Sequence, residues 1–397
     1  MNGDKIHPMQ SRIYLDWNAT TPLRSEARAA MAAAFDLVGN PSSIHAEGRQ
    51  ARHLVEDARL DIARSLGARP HGVIFTSSGT EANALALTPQ QGRKGQVSRL
   101  LVSAIEHASV LAGGRFPAEA VSRIPVNACG IIDLDALAEL LAAGPPALVS
   151  IMAANNETGA IQPISAAARL VHDQGGLLHV DAIQAFGRIP YDINVAGADL
   201  SSLSGHKIGG PKGVGALILA DGLSGPEALL HGGGQEQGRR AGTENVAGIA
   251  GFAAAAVAAI AAREADMARL AILRRRLESA LEDSGARIFS QQVDRLPNTT
   301  LFALPGLQAQ TAVINFDLDA IALSSGAACS SGKVQSSHVL VAMGCDADGA
   351  RGALRISLGG STTEAEIDRC IDIWHRIRAR HARIEGRSAG GPQAATD

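Results

Sequence analysis

One lysine stands in a run of small residues and glycines, Ser201-Ser202-Leu203-Ser204-Gly205-His206-Lys207-Ile208-Gly209-Gly210-Pro211-Lys212-Gly213. A short apolar run headed by Asp199 precedes it, and Val214–Leu219 after it reads as a strand. Lys207 therefore sits in a tight connection between two strands, where glycine lets backbone pack close to a ligand. A lysine held among apolar walls loses its proton more readily, because desolvation disfavours the charged form. The neutral amine is a nucleophile and forms Schiff bases with aldehydes. A solvated lysine in a glycine-rich turn fits this stretch alone equally well.

Other polar residues recur just past apolar runs. Val73–Thr76 reads as a strand that enters Ser77-Ser78-Gly79-Thr80-Glu81-Ala82-Asn83 and a helix. That arrangement offers N–H groups to a phosphate, or is an ordinary cap at Ser78 or Thr80. Leu100–Ser103 precedes Glu106 and His107, and Ala147–Met152 precedes Asn155-Asn156-Glu157. Leu177–Ala182 carries Asp181 near its end, with Gln184 beyond. Each of these alone reads as structure. Together, with helices at Leu134–Ala142 and Ile164–Asp173 between the strands, they predict a mostly parallel sheet covered on both faces. Ligands of such sheets bind at the carboxyl ends of the strands. Thr80, His107, Asn156, Asp181, Gln184 and Lys207 are thus predicted to converge.

The elements that carry these residues come from an alanine-rich chain of 397 residues, 46% hydrophobic but only 3% aromatic. That length predicts two domains. A net charge of -3 gives no electrostatic case for nucleic acid or membrane. Val246–Ala262 is the most apolar long stretch and reads as a core helix rather than a membrane span. The start shows no apolar run of signal-peptide type. Cys129, Cys329, Cys345 and Cys370 form no CxxC pair and no zinc-type cluster, which suits reduced thiols in the cytoplasm. The expectation is a helix over 244–262, another over 264–283, and strands at Asn298–Phe302 and Thr311–Phe316 in a C-terminal α+β domain. The glycine-rich stretch His231–Thr243, with Arg239 and Arg240, suits anion contacts. Cys329 stands in the small-residue loop Ser324–Gly332, the setting of an accessible thiol. Arg355, in Leu354–Leu358, can clamp a carboxylate with both arms of its guanidinium. Residues 386–397 read as a disordered tail.

From about Tyr14 to about Asp372 these motifs resemble the cysteine desulfurases of the NifS/IscS-like branch of the class V aminotransferases. The stretches that carry the resemblance are Tyr14–Thr21, Gly39–Ser43, Glu106-His107, Asn155–Glu157, His179–Ala182, Ser204–Lys207, Gly232–Asn245 and the loop around Cys329. Two stretches depart from the family pattern. Ser77-Ser78-Gly79-Thr80 replaces Ser-Gly-Ala-Thr, and Gly210 replaces a bulky polar residue. The resemblance implies the α/β fold of pyridoxal-phosphate transferases of fold type I. It implies a large domain over 16–262, with a mainly parallel seven-stranded sheet. It also implies a small domain from 1–15 and 263–385, which carries the cysteine loop.

The same resemblance implies pyridoxal 5'-phosphate held as a Schiff base on Lys207. Asp181 would pair with the pyridine nitrogen, Gln184 with the phenolic oxygen, and His107 would stack on the ring as acid and base. Gly79, Thr80, Ser204 and His206 would hold the phosphate, joined by Thr243 from the second subunit of a homodimer. Asn156 would touch cofactor and substrate, and Arg355 the substrate carboxylate. Cys329 would take the sulfur of L-cysteine as a persulfide, pass it to an acceptor or iron–sulfur scaffold protein, and meet a cluster during transfer. No resident metal is implied. An aminotransferase or selenocysteine lyase would use the same lysine, but a transaminase needs no thiol. A sulfur-relay scaffold would need none of Asp181, Lys207 and His107.

Overall fold

The computed structural model describes residues 12–93, 95–326 and 336–389. In chain order it runs β1 (Ile13–Tyr14), α1 (Ser25–Phe35), α2 (Ala46–Arg64), β2 (Val73–Thr76), α3 (Gly79–Ala86), β3 (Gln90–Gly92), β4 (Gly95–Val97), β5 (Arg99–Ser103), α4 (Ala108–Leu111) and β6 (Val121–Ile124). It continues with α5 (Leu134–Ala142), β7 (Ala147–Met152), α6 (Ile164–Asp173), β8 (Leu177–Asp181), α7 (Ile193–Ala196), β9 (Leu200–Ser204), β10 (Gly215–Leu219) and α8 (Val246–Asp283). Last come β11 (Arg287–Ile288), β12 (Thr299–Ala303), α9 (Ala309–Leu318), β13 (Ile321–Ala322), β14 (Ser324–Ser325), α10 (His338–Ala342), α11 (Ala347–Gly352), β15 (Leu354–Ser357) and α12 (Glu364–Ala389).

The central sheet has seven strands in the order β2-β10-β9-β8-β7-β5-β6. Pairing is parallel from β9 through β6, and β10 alone runs antiparallel, between β2 and β9. β2, β7, β8, β9 and β10 are buried at every residue, as expected of strands with helices on both faces. The predicted α/β class and mainly parallel sheet are therefore observed. A second sheet, β11-β12-β15-β14, is antiparallel and has its own apolar cluster around Phe302, Phe316 and Trp374. The N-terminal segment threads between the sheets. β1 pairs with β13, and Trp17 N donates to Ser357 O.

Three expectations are corrected. Thr311–Phe316 is no strand but lies in α9, where Ala312 and Phe316 are buried and Ile314 is 52% exposed. Burial at i and i+4 is helical spacing, and it overrides the β-branched residues. The two helices expected on either side of Arg263 are one 38-residue helix, α8, because no glycine or proline stands at their junction. α8 is long and apolar enough to cross a membrane, yet 56% of its most apolar stretch is buried inside the protein. α12 carries on to Ala389, so the first four residues of the expected tail are helical. Its arginine-, alanine- and isoleucine-rich sequence suits a helix enough to absorb Gly386.

Candidate active site

Glycine brings the lysine to its place. After β9 the chain makes a single helical turn over Gly205–Lys207. A Cβ on Gly205 would lie 2.9 Å from Val214 Cγ1, so only glycine lets the turn close. Lys207 Nζ then donates to Asn18 O at 2.6 Å and Ala19 O at 2.9 Å. The turn Asp16–Thr21 therefore receives the amine on the far side of the cavity.

The cavity has a volume of about 290 Å³. Gly79, Thr80, His107, Asn156, Asp181, Gln184, Ser204, His206, Lys207 and Arg355 all line it. Strands deliver several of them at their carboxyl ends: Asp181 closes β8 and Ser204 closes β9. Asp181 is buried, with Oδ2 accepting from Asn83 Nδ2 at 2.9 Å and Oδ1 from Ile183 N at 3.0 Å. Burial raises its carboxyl above the usual range, opposed by Asn83, Ile183, His107 and Lys207. His107 caps α4, and its Nδ1 accepts from Ser109 N at 3.2 Å and faces Ser109 Oγ at 2.8 Å. A neutral ring held this way carries its proton on Nε2. Burial lowers the His107 pKa and the Asp181 charge opposes that. Burial, with Lys207 second, pushes His206 down to about 4, so it is neutral at pH 7.

Ser78 Oγ caps α3 by accepting from Glu81 N at 3.1 Å. A Cβ on Gly79 would lie 2.4 Å from Ile183 Cδ1 and 3.1 Å from Ser204 Cβ. At the opposite wall Arg355 is 2% exposed. Its Nη2 donates to Asp16 Oδ1 at 2.7 Å and its Nη1 to Asn156 O at 3.0 Å, while its buried Nε has no partner among the described residues. Thr243 does not line this cavity. It is exposed beside a smaller one, of about 100 Å³, bounded by Ser77, Glu236 and Arg240. Cys329 lies outside the described residues.

Sequence reading missed Asn83, Asn18, Asp16 and Arg188. Asn83 could have been found, since it lies one helical turn past Thr80. Asn18 and Asp16 lay in Tyr14–Thr21, a stretch that carried the family resemblance but gave neither residue a role. Arg188 gave no signal beyond its spacing of four from Gln184.

An open α/β sheet with a lysine-centred cavity at its strand ends defines the class of this protein. The model of the class-V aminotransferases matches residues 13–370, and the chain belongs to that family. The IscS-like cysteine desulfurase of Mycobacterium tuberculosis is 40% identical over 389 residues, covering 95% of this chain and 99% of that one. The structure of a NifS-like protein from Rickettsia africae matches with a TM-score of 0.84 and 37% identity, covering 92% and 99%. A structure titled SspA in complex with cysteine matches with a TM-score of 0.73 and 30% identity, covering 88% and 100%.

Proposed function

We propose that this protein is a pyridoxal-phosphate-dependent cysteine desulfurase that converts L-cysteine to L-alanine and passes on the sulfur. One observation carries the reading: Lys207, Asp181, His107 and Gln184, scattered over a hundred residues, line one cavity at the strand ends. The relatives' names supply the substrate.

The residues fit the cofactor. A buried acid, an orphaned Arg355 Nε and a glycine-lined helix start surround a cavity of ring size. Lys207 would hold the aldehyde, Asp181 the protonated ring nitrogen and Gln184 the phenolic oxygen. Gly79, Thr80, Ser204 and His206 would take the phosphate, with Thr243 reaching in from the other subunit of a homodimer. When bound, the group supplies an electron sink for the carbon that bears the amino group. Arg355 and Asn156 orient the substrate carboxylate, and the free Nε is the donor still available for it. Lys207 Nζ moves the proton at the substrate Cα, and His107 Nε2 exchanges one over the cavity. The Cys329 thiol then takes sulfur from cysteine. The C–S bond breaks and an S–S bond forms, so cysteine plus thiol gives alanine plus persulfide with no outside oxidant or reductant. Cys370 is fully buried in the apolar cluster of the second sheet, out of reach of the cavity, and that burial pushes its thiol up to about 12. Burial also raises Cys345.

We further place the protein in the cytoplasm, serving an iron–sulfur scaffold or another sulfur acceptor. The proposed division is a large domain over 16–262 and a small one from 1–15 and 263–385, in keeping with two apolar clusters that share α8. Purified protein supplied with L-cysteine and a reducing thiol should release alanine and sulfide in equal amounts. Cys329→Ser should release neither. If that variant makes both at the parent rate, the persulfide route is wrong and a direct lyase reaction replaces it.

A further inference from the structure

Arg188 belongs to no motif, yet it stands directly behind the two cavity residues Gln184 and Lys207. It is 7% exposed. Its guanidinium donates to Asn18 Oδ1 at 2.8 Å, to Trp17 O and Lys207 O at 3.2 Å each, and to Gln184 Oε1. All four acceptors are neutral oxygens. A guanidinium can only donate, whereas an amide has one accepting end and one donating end. With Oε1 taken by Arg188, the Gln184 amide must turn Nε2 the other way. Nε2 indeed donates to Asn18 O at 3.0 Å, the same carbonyl that receives Lys207 Nζ at 2.6 Å. Arg188 thus sets the sense of one side chain and, through the Lys207 carbonyl, holds the backbone of the other. Burial, with Arg355 second, pushes the guanidinium down to about 9, which leaves it charged at neutral pH. In a low-dielectric interior such a charge polarises the groups bonded to it, and their own hydrogen bonds strengthen.

We propose that Arg188 is a positioning residue that fixes the Gln184 N–H toward the cavity and relays positive charge through that amide to an anionic oxygen on the ring of the bound cofactor. The inference rests on the pyridoxal-phosphate reading of the cavity. A merely structural arginine would hold the turn together but would not influence a proton at the Lys207 end. The other charged or titratable groups facing that end are His107, Asp181, His206 and Arg355, with Asp16 behind Arg355. Arg188 also acts directly on two of these, His206 and Arg355, an effect that persists without Gln184 and that the double variant therefore separates from the relay.

The test uses holoenzyme: parent, Arg188→Met, Arg188→Lys, Gln184→Leu and the double variant Arg188→Met/Gln184→Leu, each loaded with pyridoxal 5'-phosphate. The readout is the pH midpoint of the cofactor's visible absorption band. Loss of the cation and its relayed hydrogen bond favours protonation at the Lys207 end. Arg188→Met should therefore raise the midpoint by about one pH unit, a tenfold change in proton affinity. Arg188→Lys should restore most of it. In the Gln184→Leu background the Arg188→Met shift should fall to less than half. If Arg188→Met does not fold, Arg188→Gln keeps a donor for Gln184 but drops the charge, and the same rise is expected. A parental midpoint in the neutral variants, or an undiminished shift without Gln184, overturns the proposal. A parent that takes up no pyridoxal phosphate overturns the cofactor reading instead, so the two failures are told apart.

Discussion

At Arg355, two of the three nitrogens bond to Asp16 and Asn156, and the third, Nε, is buried with no partner among the described residues. Lysine at this position would keep the charge but lose the fork. Arg355→Lys should therefore raise KM for cysteine by roughly tenfold, the worth of one charged hydrogen bond, while kcat changes less. Steady-state alanine release measures both. Glu157 sits in the neighbouring loop, accepting from Ser337 Oγ at 2.5 Å. Burial pushes its carboxyl from 4.5 up to about 7, against the opposing pull of Ser337 and Arg355. The folded chain thus keeps a proton that the unfolded chain has released. The contribution to stability is whole below pH 4.5 and lost as pH rises to about 7, in all about 3 kcal/mol. Glu157→Gln cannot lose that proton. Relative to the parent it should gain stability over the same pH window and level off above it. Urea unfolding across a pH series shows whether it does.

The strand-to-turn elements were legible because glycine and small residues have few other uses between apolar runs. Lys207, Asp181 and His107 could be placed at strand ends from that punctuation alone. What could not be read was what the second sheet would cover. Asn18 looks like any turn asparagine, yet it is 1% exposed and bonds to Ser357, Thr299 and Arg188. These partners lie 170 to 339 residues away, and no local pattern encodes them. Nor did local pattern reveal α9, where β-branched residues occupy a helix that only its tertiary burial explains. α8 is the element that ties the two cores, and Gly251 sets its approach to α1. A Cβ there would lie 2.6 Å from Met31 Cγ and 3.1 Å from Pro211 Cδ, and Pro211 belongs to the lysine loop. Alanine gains about 1 kcal/mol of helix propensity, which offsets the lower end of an overpacking cost of about 1–3 kcal/mol, the end that the flexible Met31 side chain favours. Valine has less of that gain and two more methyls. Gly251→Val should lower the urea midpoint clearly while Gly251→Ala moves it little, and equal midpoints would show that Met31 yields freely.

For the molecule as a whole, the stretch after α1 carries bare apolar side chains. Phe35, Val38 and Ile44, close together in sequence, are 72%, 94% and 90% exposed, as side chains that pack against a partner would be. The segment from Pro41 to Arg59, which includes Ile44, borders the glycine-rich stretch at Gly234–Gln237. That stretch is anchored, not loose. Glu236 takes up both arms of Arg59 at 2.8 Å, and Arg240 pairs with Glu81 at 2.9 Å. Glu236 and Gln237 adopt positive φ, 48° and 59°, a strain tolerated where surrounding structure imposes it. An anchored loop that presents an exposed Thr243, in a chain that also bares the apolar side chains after α1, fits the proposed homodimer in which each subunit completes the other's site. Mixing and reassociating inactive Lys207→Ala subunits with Thr243→Val subunits tests this. In the hybrid, one site combines an intact Lys207 with the intact Thr243 of the other chain. Random pairing makes half the dimers hybrid, each with one good site, so about a quarter of parental activity should return. If each subunit instead used its own Thr243, no hybrid site would be whole, and activity would stay at the average of the two parents.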